Sequence, residues 1–151
     1  MTARNETAIA ALEAGIAINN SSVTVVHGMS RPIGALYHVP HGLSNAMLLY
    51  KCMSFALDGA TTRFAVLGRA INAADCKADD KTAATAFLDA IGDICKKLEV
   101  PTLSEYGIDK EDFFGNIEKM ANDALASGSP ANTAKEVTKA DIINIYKSLF
   151  S

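Results

Sequence analysis

Apolar residues recur along this chain three and four positions apart, in segment after segment, and hardly ever in alternation. Ile9, Leu12 and Ile16 stand at i, i+3 and i+7; Phe64, Leu67 and Ile71 repeat the arrangement, and Phe87, Ile91, Ile94 and Leu98 extend it. A period near 3.6 puts such residues on one stripe of a helix, whereas a half-buried strand needs a period of two. The single β-rich stretch, Val23-Thr24-Val25-Val26, finds no partner strand elsewhere in the sequence. The expectation is an all-α fold, one helical bundle over residues 1–151.

Breaks between the stripes set the expected boundaries. Asn19-Asn20-Ser21-Ser22 ends the first helix, because these side chains compete for backbone hydrogen bonds. A second segment runs from about residue 23 to 37 and contains Pro32, which predicts a kink or an early end. Pro40 suits the first position of a third helix, carrying Leu43, Met47, Leu48 and Phe55 to about Leu57. Asp58-Gly59 then predicts a break, with a fourth helix behind it. A fifth covers roughly 80–99, stopped by Pro101. Asp109 with Asp112, and Thr138 with Asp141, resemble capping boxes that open the last two helices, with Asp standing where Glu or Gln is usual. Residues 127–132 read as a loop.

Composition narrows the class. At 151 residues and 49% hydrophobic the chain can build a core without disulfides or metal staples. Fourteen Lys+Arg against seventeen Asp+Glu leave a net charge of −3, so neither nucleic acid nor an anionic bilayer is an expected partner. Cys52, Cys76 and Cys95 are odd in number and lack a CxxC pattern, which fits reduced thiols and a cytoplasmic location. The apolar stretch over 8–18 is interrupted by Glu13 and lacks the flanks of a signal peptide. No run is long enough to predict a membrane span.

All three histidines, His27, His38 and His41, fall within fifteen residues. Histidine is the commonest metal ligand, and a helix N-terminus such as the one at His41 favours the neutral ring that a metal needs. His27 and His41 lie on successive predicted helices joined by a Pro/Gly-bearing turn. Taken alone, they read either as ligands brought together by that turn or as ordinary capping and packing histidines, since a spacing of fourteen matches no compact metal motif.

The context of these histidines resembles one family. His27-Gly28-Met29-Ser30-Arg31-Pro32-Ile33-Gly34 followed by Pro40-His41-Gly42 is similar to the HxMxxxLG-like stretch and PHG of the iron-containing (group III) alcohol dehydrogenases. Ala14-Gly15-Ile16-Ala17 with Asn20-Ser21 upstream, and residues 127–132 and 138–146 downstream, extend the likeness from about Arg4 to Phe150. The resemblance implies the helical, dehydroquinate synthase-like C-terminal domain of an enzyme whose N-terminal Rossmann-like domain holds NAD or NADP. It implies Fe(II) or Zn(II) bound by an aspartate and three histidines, two of which match His27 and His41. The other two ligands and the nucleotide-binding domain are expected outside these 151 residues, which contain no GxGxxG.

The implied reaction is reversible oxidation of a small alcohol to an aldehyde or ketone, in a homo-oligomer. Many family members carry a proton-relaying histidine where Arg31 stands. Arginine does no acid–base work, so Arg31 either pairs with a cofactor phosphate or ribose or lies on the surface. His38 either replaces the relay or is a solvent-facing turn residue, and Ile18 falls where relatives place an aromatic residue against the substrate. By the same resemblance the chain alone is expected to be inactive. A glycerol dehydrogenase-like relative and a non-catalytic helical interaction module are the alternatives.

Overall fold

Side-chain caps open three of the helices. Asp79, Asp109 and Thr138 each accept the backbone N–H three residues on, and at Thr138 the Asp141 carboxylate returns the bond to complete a capping box. In the computed structural model, which describes residues 2–150, the elements are α1 (Thr2–Asn20), α2 (Val25–Tyr37), α3 (His41–Ala70), α4 (Asp80–Lys97), α5 (Lys110–Ala126) and α6 (Lys139–Ser148). A 3-10 turn, Ser129–Asn132, precedes α6, and no strand occurs among the described residues. The all-α expectation holds.

One local expectation is corrected. Asp58-Gly59 does not break the chain: α3 is one helix of 30 residues. Gly59 serves close approach instead of turning, because a Cβ there would collide with the carbonyl oxygen of Ala134, and one at Gly68 with that of Ala83. Pro32 does not end α2, which continues to Tyr37. Met29 and Ile33, on either side of that proline, are fully buried, and their packing outweighs one missing intrahelical bond. The Val23–Val26 stretch is the entry to α2, with Thr24 extended at the N-cap and the Val25 N–H donated to Thr133 Oγ1 at 3.1 Å.

The main core forms where α2 packs against α3, α5 and the 3-10 turn, with α6 closing over α5. Met29, Ile33, Leu48, Phe113, Met120 and Ile142 fill it, and Phe113 sits between the rings of Tyr37, Tyr146 and Phe150. Burying a side chain of this size removes about 1.5–3 kcal/mol worth of apolar surface from water. The buried Tyr146 hydroxyl donates to Met29 O at 2.8 Å, so the one polar atom it takes inside is satisfied. Burial pushes the Cys52 thiol up to about 12, which leaves it protonated and inert.

A second, smaller core of Ala56, Ala60, Phe64, Ala65, Ala83 and Ala84 joins the far half of α3 to α4. Arg69 fastens that hairpin through Asp80 Oδ1 and Ala78 O, both at 2.7 Å. Asn72 and Glu99, at φ 57° and 52°, end α3 and α4 in the left-handed conformation. α1 differs from the rest: it buries no residue and leaves Ile9, Leu12 and Ile16 more than half exposed. No single helix is long and apolar enough to cross a membrane.

Candidate metal centre

The chain reverses between α2 and α3 in three residues. His38 adopts φ 53° at the end of α2, Val39 buries its side chain, and Pro40 caps α3. This left-handed step is one that non-glycine residues rarely take, and it lets the two helices pack together. The consequence is positional. His27, in the first turn of α2, and His41, the first residue of α3, come together with ring centroids 5.4 Å apart and planes tilted by 54°.

His27 is half-buried and His41 exposed. Burial, chiefly, holds the His27 pKa below its ordinary value, and the neighbouring His41 and Arg31 charges push it the same way. His27 therefore keeps its lone pair at neutral pH, which is the form a metal takes. Beside the pair lies a groove of 440 Å³ whose lining includes Ile18, Val26, His27, Leu49 and Met53. The walls are largely apolar, with Ser22, Thr24, His27 and Asn45 as the polar side chains among them.

The remaining site expectations divide. Ile18 is among the residues lining the groove. Arg31 is exposed one turn beyond His27 and acts on it through charge. His38 is exposed in the connecting turn, and its backbone conformation is what brings the two other histidines together. Among the described residues no group of three or more His, Cys, Asp or Glu is gathered to hold a metal. His27 and His41 thus offer two donors.

Sequence reasoning missed Asn45. It lines the same groove one turn after His41, and its Nδ2 lies 3.1 Å from His41 Nε2 and 2.9 Å from His41 O. An i+4 step on a helix puts the two side chains on one face, which was the available signal.

A family model described as the Fe-containing alcohol dehydrogenase family, C-terminal, matches residues 1–150. The chain belongs to that family. It is 28% identical to lactaldehyde reductase of Escherichia coli over 95% of its own length and 37% of that enzyme's. With the NADPH-dependent butanol dehydrogenase of Clostridium saccharobutylicum it shares 24% identity, covering 98% of this chain and 38% of the relative. Among solved structures, a 1,3-propanediol oxidoreductase superposes with a TM-score of 0.82 at 26% identity, over 91% of this chain and 35% of that one. An alcohol dehydrogenase from Oenococcus oeni gives 0.80 at 27% identity, over 90% and 35%. The chain therefore spans under two fifths of these relatives, and its all-helical fold is that of their C-terminal part.

Proposed function

We propose that the chain is the metal-binding helical part of an NAD(P)-dependent alcohol dehydrogenase that interconverts a small alcohol with its aldehyde or ketone. A nucleotide-binding domain facing the groove would bring NAD or NADP and the other metal ligands. The carrying observation is the pair of imidazoles 5.4 Å apart at neighbouring helix starts. The donor set fits a divalent transition metal: two nitrogen ligands, one held neutral by burial, suit Fe(II) and Zn(II) alike. His27 and His41 would hold it.

A divalent cation at such a site supplies Lewis acidity toward the substrate oxygen. The protein's own residues do the rest. Ile18, Val26, Leu49 and Met53, which line the groove, would receive the carbon chain of the alcohol. Arg31 stays protonated and takes no part in proton transfer; its guanidinium is exposed and would pair with an anionic group of the cofactor. His38 is the remaining titratable side chain of the turn and the candidate for carrying a proton to solvent. Cys52, Cys76 and Cys95 are unpaired, which supports a reducing, cytoplasmic setting.

Calorimetric titration tests the site. Zn(II) should bind the wild-type chain weakly and should not bind the His27→Ala/His41→Ala double variant; equal binding refutes the assignment. Catalysis tests the division of labour. NADH should form from ethanol, 1-butanol or 1,2-propanediol, with Fe(II) or Zn(II) present, only when a separately made nucleotide-binding domain is added. Turnover by this chain alone, lost in His41→Ala, would overturn it.

A further inference from the structure

Asn45 Nδ2 lies 3.1 Å from Nε2 of His41 and 3.5 Å from Nδ1 of the same ring. A donor aligned with one ring nitrogen in the ring plane stands far from the other nitrogen, because the in-plane directions at the two nitrogens diverge. An in-plane position near both nitrogens would collide with the Cε1–H between them. The amide nitrogen must therefore lie over the face of the imidazole, an N–H to π contact and not a lone-pair hydrogen bond.

The same Nδ2 donates to His41 O at 2.9 Å, which fixes how the amide is turned. Exchanging its oxygen and nitrogen would set two oxygens against each other at that distance. The arrangement leaves Asn45 Oδ1 buried without a partner. A buried acceptor left unmatched is a cost. What the side chain gains is an N–H directed at the ring and the carbonyl of His41.

We propose that Asn45 is a positioning residue for His41, bracing the face of its imidazole so that the unprotonated ring nitrogen stays open in the ring plane to a divalent cation. His41 is the first residue of α3 and exposed, so beyond the His27 ring 5.4 Å away it has little else to stop its ring rotating. Its partner ligand His27 is half-buried and held by α2. A site with one ligand fixed and one free loses affinity to the ordering of the free ring, and the Asn45 amide removes that loss in advance.

The inference rests on the two-histidine reading, and the experiment separates the two. Zn(II) is titrated calorimetrically into wild type, Asn45→Ala and His27→Ala/His41→Ala, with unfolding temperature measured for each. Alanine is the better helix former, so Asn45→Ala retains the fold. Asn45→Ala should bind Zn(II) roughly tenfold more weakly than wild type, the low end of losses seen when a group orienting a metal ligand is removed. If binding requires the histidines but Asn45→Ala matches wild type, the positioning role is overturned and the metal site stands. If wild type and the double-histidine variant bind alike, the site falls and the inference with it. The metal-free chain gives an independent readout by NMR. The Asn45 side-chain amide protons, lying over an aromatic face, should resonate upfield of the usual amide range and return to it in His41→Ala; amide shifts indifferent to that substitution would also overturn the proposal.

Discussion

Replacing Gly68 with alanine should destabilise this protein, although the same exchange in an open helix stabilises. Inside a helix, alanine is better than glycine by about 0.8–1.0 kcal/mol. Gly68 sits on the α3 face against α4, where an added Cβ would collide with the Ala83 carbonyl oxygen and stand 3.3 Å from Phe87 Cβ. The obstacle is backbone, and Ala83 and Ala84 are both fully buried, so no side-chain rotation relieves it. α4 must shift as a body, and overpacking of this kind costs typically about 1–3 kcal/mol. Setting the propensity gain against it leaves a net loss of about 1 kcal/mol, or ~2–4 °C in unfolding temperature for a chain of this size. Gly115 is the control. It is exposed within α5 with nothing within 4 Å of its would-be Cβ, so Gly115→Ala should raise the transition by a similar amount. Thermal unfolding followed by circular dichroism reads both. An upward shift in Gly68→Ala equal to that in Gly115→Ala would refute the close-approach argument. Zn(II) binding should be unchanged in either, since Gly68 lies about 40 Å along α3 from His41 at 1.5 Å per residue.

Four further outcomes follow from the geometry. His38→Gly should stabilise by roughly 0.5–1 kcal/mol, because glycine takes the left-handed φ without penalty, and should leave Zn(II) affinity unaltered; weakened binding would make His38 a ligand. Thr138→Ala should cost about 1 kcal/mol by removing the cap of α6. The Asp141 pKa is lowered, mainly by the Thr138 hydroxyl and then by the Thr138 N–H. Its contribution is therefore present above the unfolded carboxylate value and lost as pH falls through the lower folded value, and Asp141→Asn should flatten the acid limb of a stability–pH curve. Finally, the uncovered stripe of α1 should drive self-association of the isolated chain; sedimentation should show Leu12→Glu shifted toward monomer, and a strictly monomeric wild type at high concentration would refute it.

What could be read from sequence was what local chemistry decides. Asp109 and Thr138 mark helix starts because a cap acts within one turn, and Pro101 marks a stop for the same reason. The pairing of His27 with His41 was legible from the turn between them and from the family likeness. Gly59 was misread because its role depends on Ala134, 75 positions away in the chain by simple difference of residue numbers. Pro32 stays within α2 because the burial of Met29 and Ile33 overrides a local penalty. Asn45 escaped notice because an i+4 step from His41 is shared by any helix; the ring beneath its amide gives it meaning.

The bond from Tyr146 to Met29 spans 117 positions, and Thr133 reaches Val25 across 108. Helix α2, which carries His27, is thus held by residues from the opposite end of the sequence, while the α3–α4 hairpin closes between neighbours. Distant closures are slow to form, since a long loop must be ordered before the contact rewards it. On refolding from denaturant, helicity in the hairpin should return early and Zn(II) binding late, with the two phases separated in time. A partly folded chain would then look helical and yet be unable to take up metal.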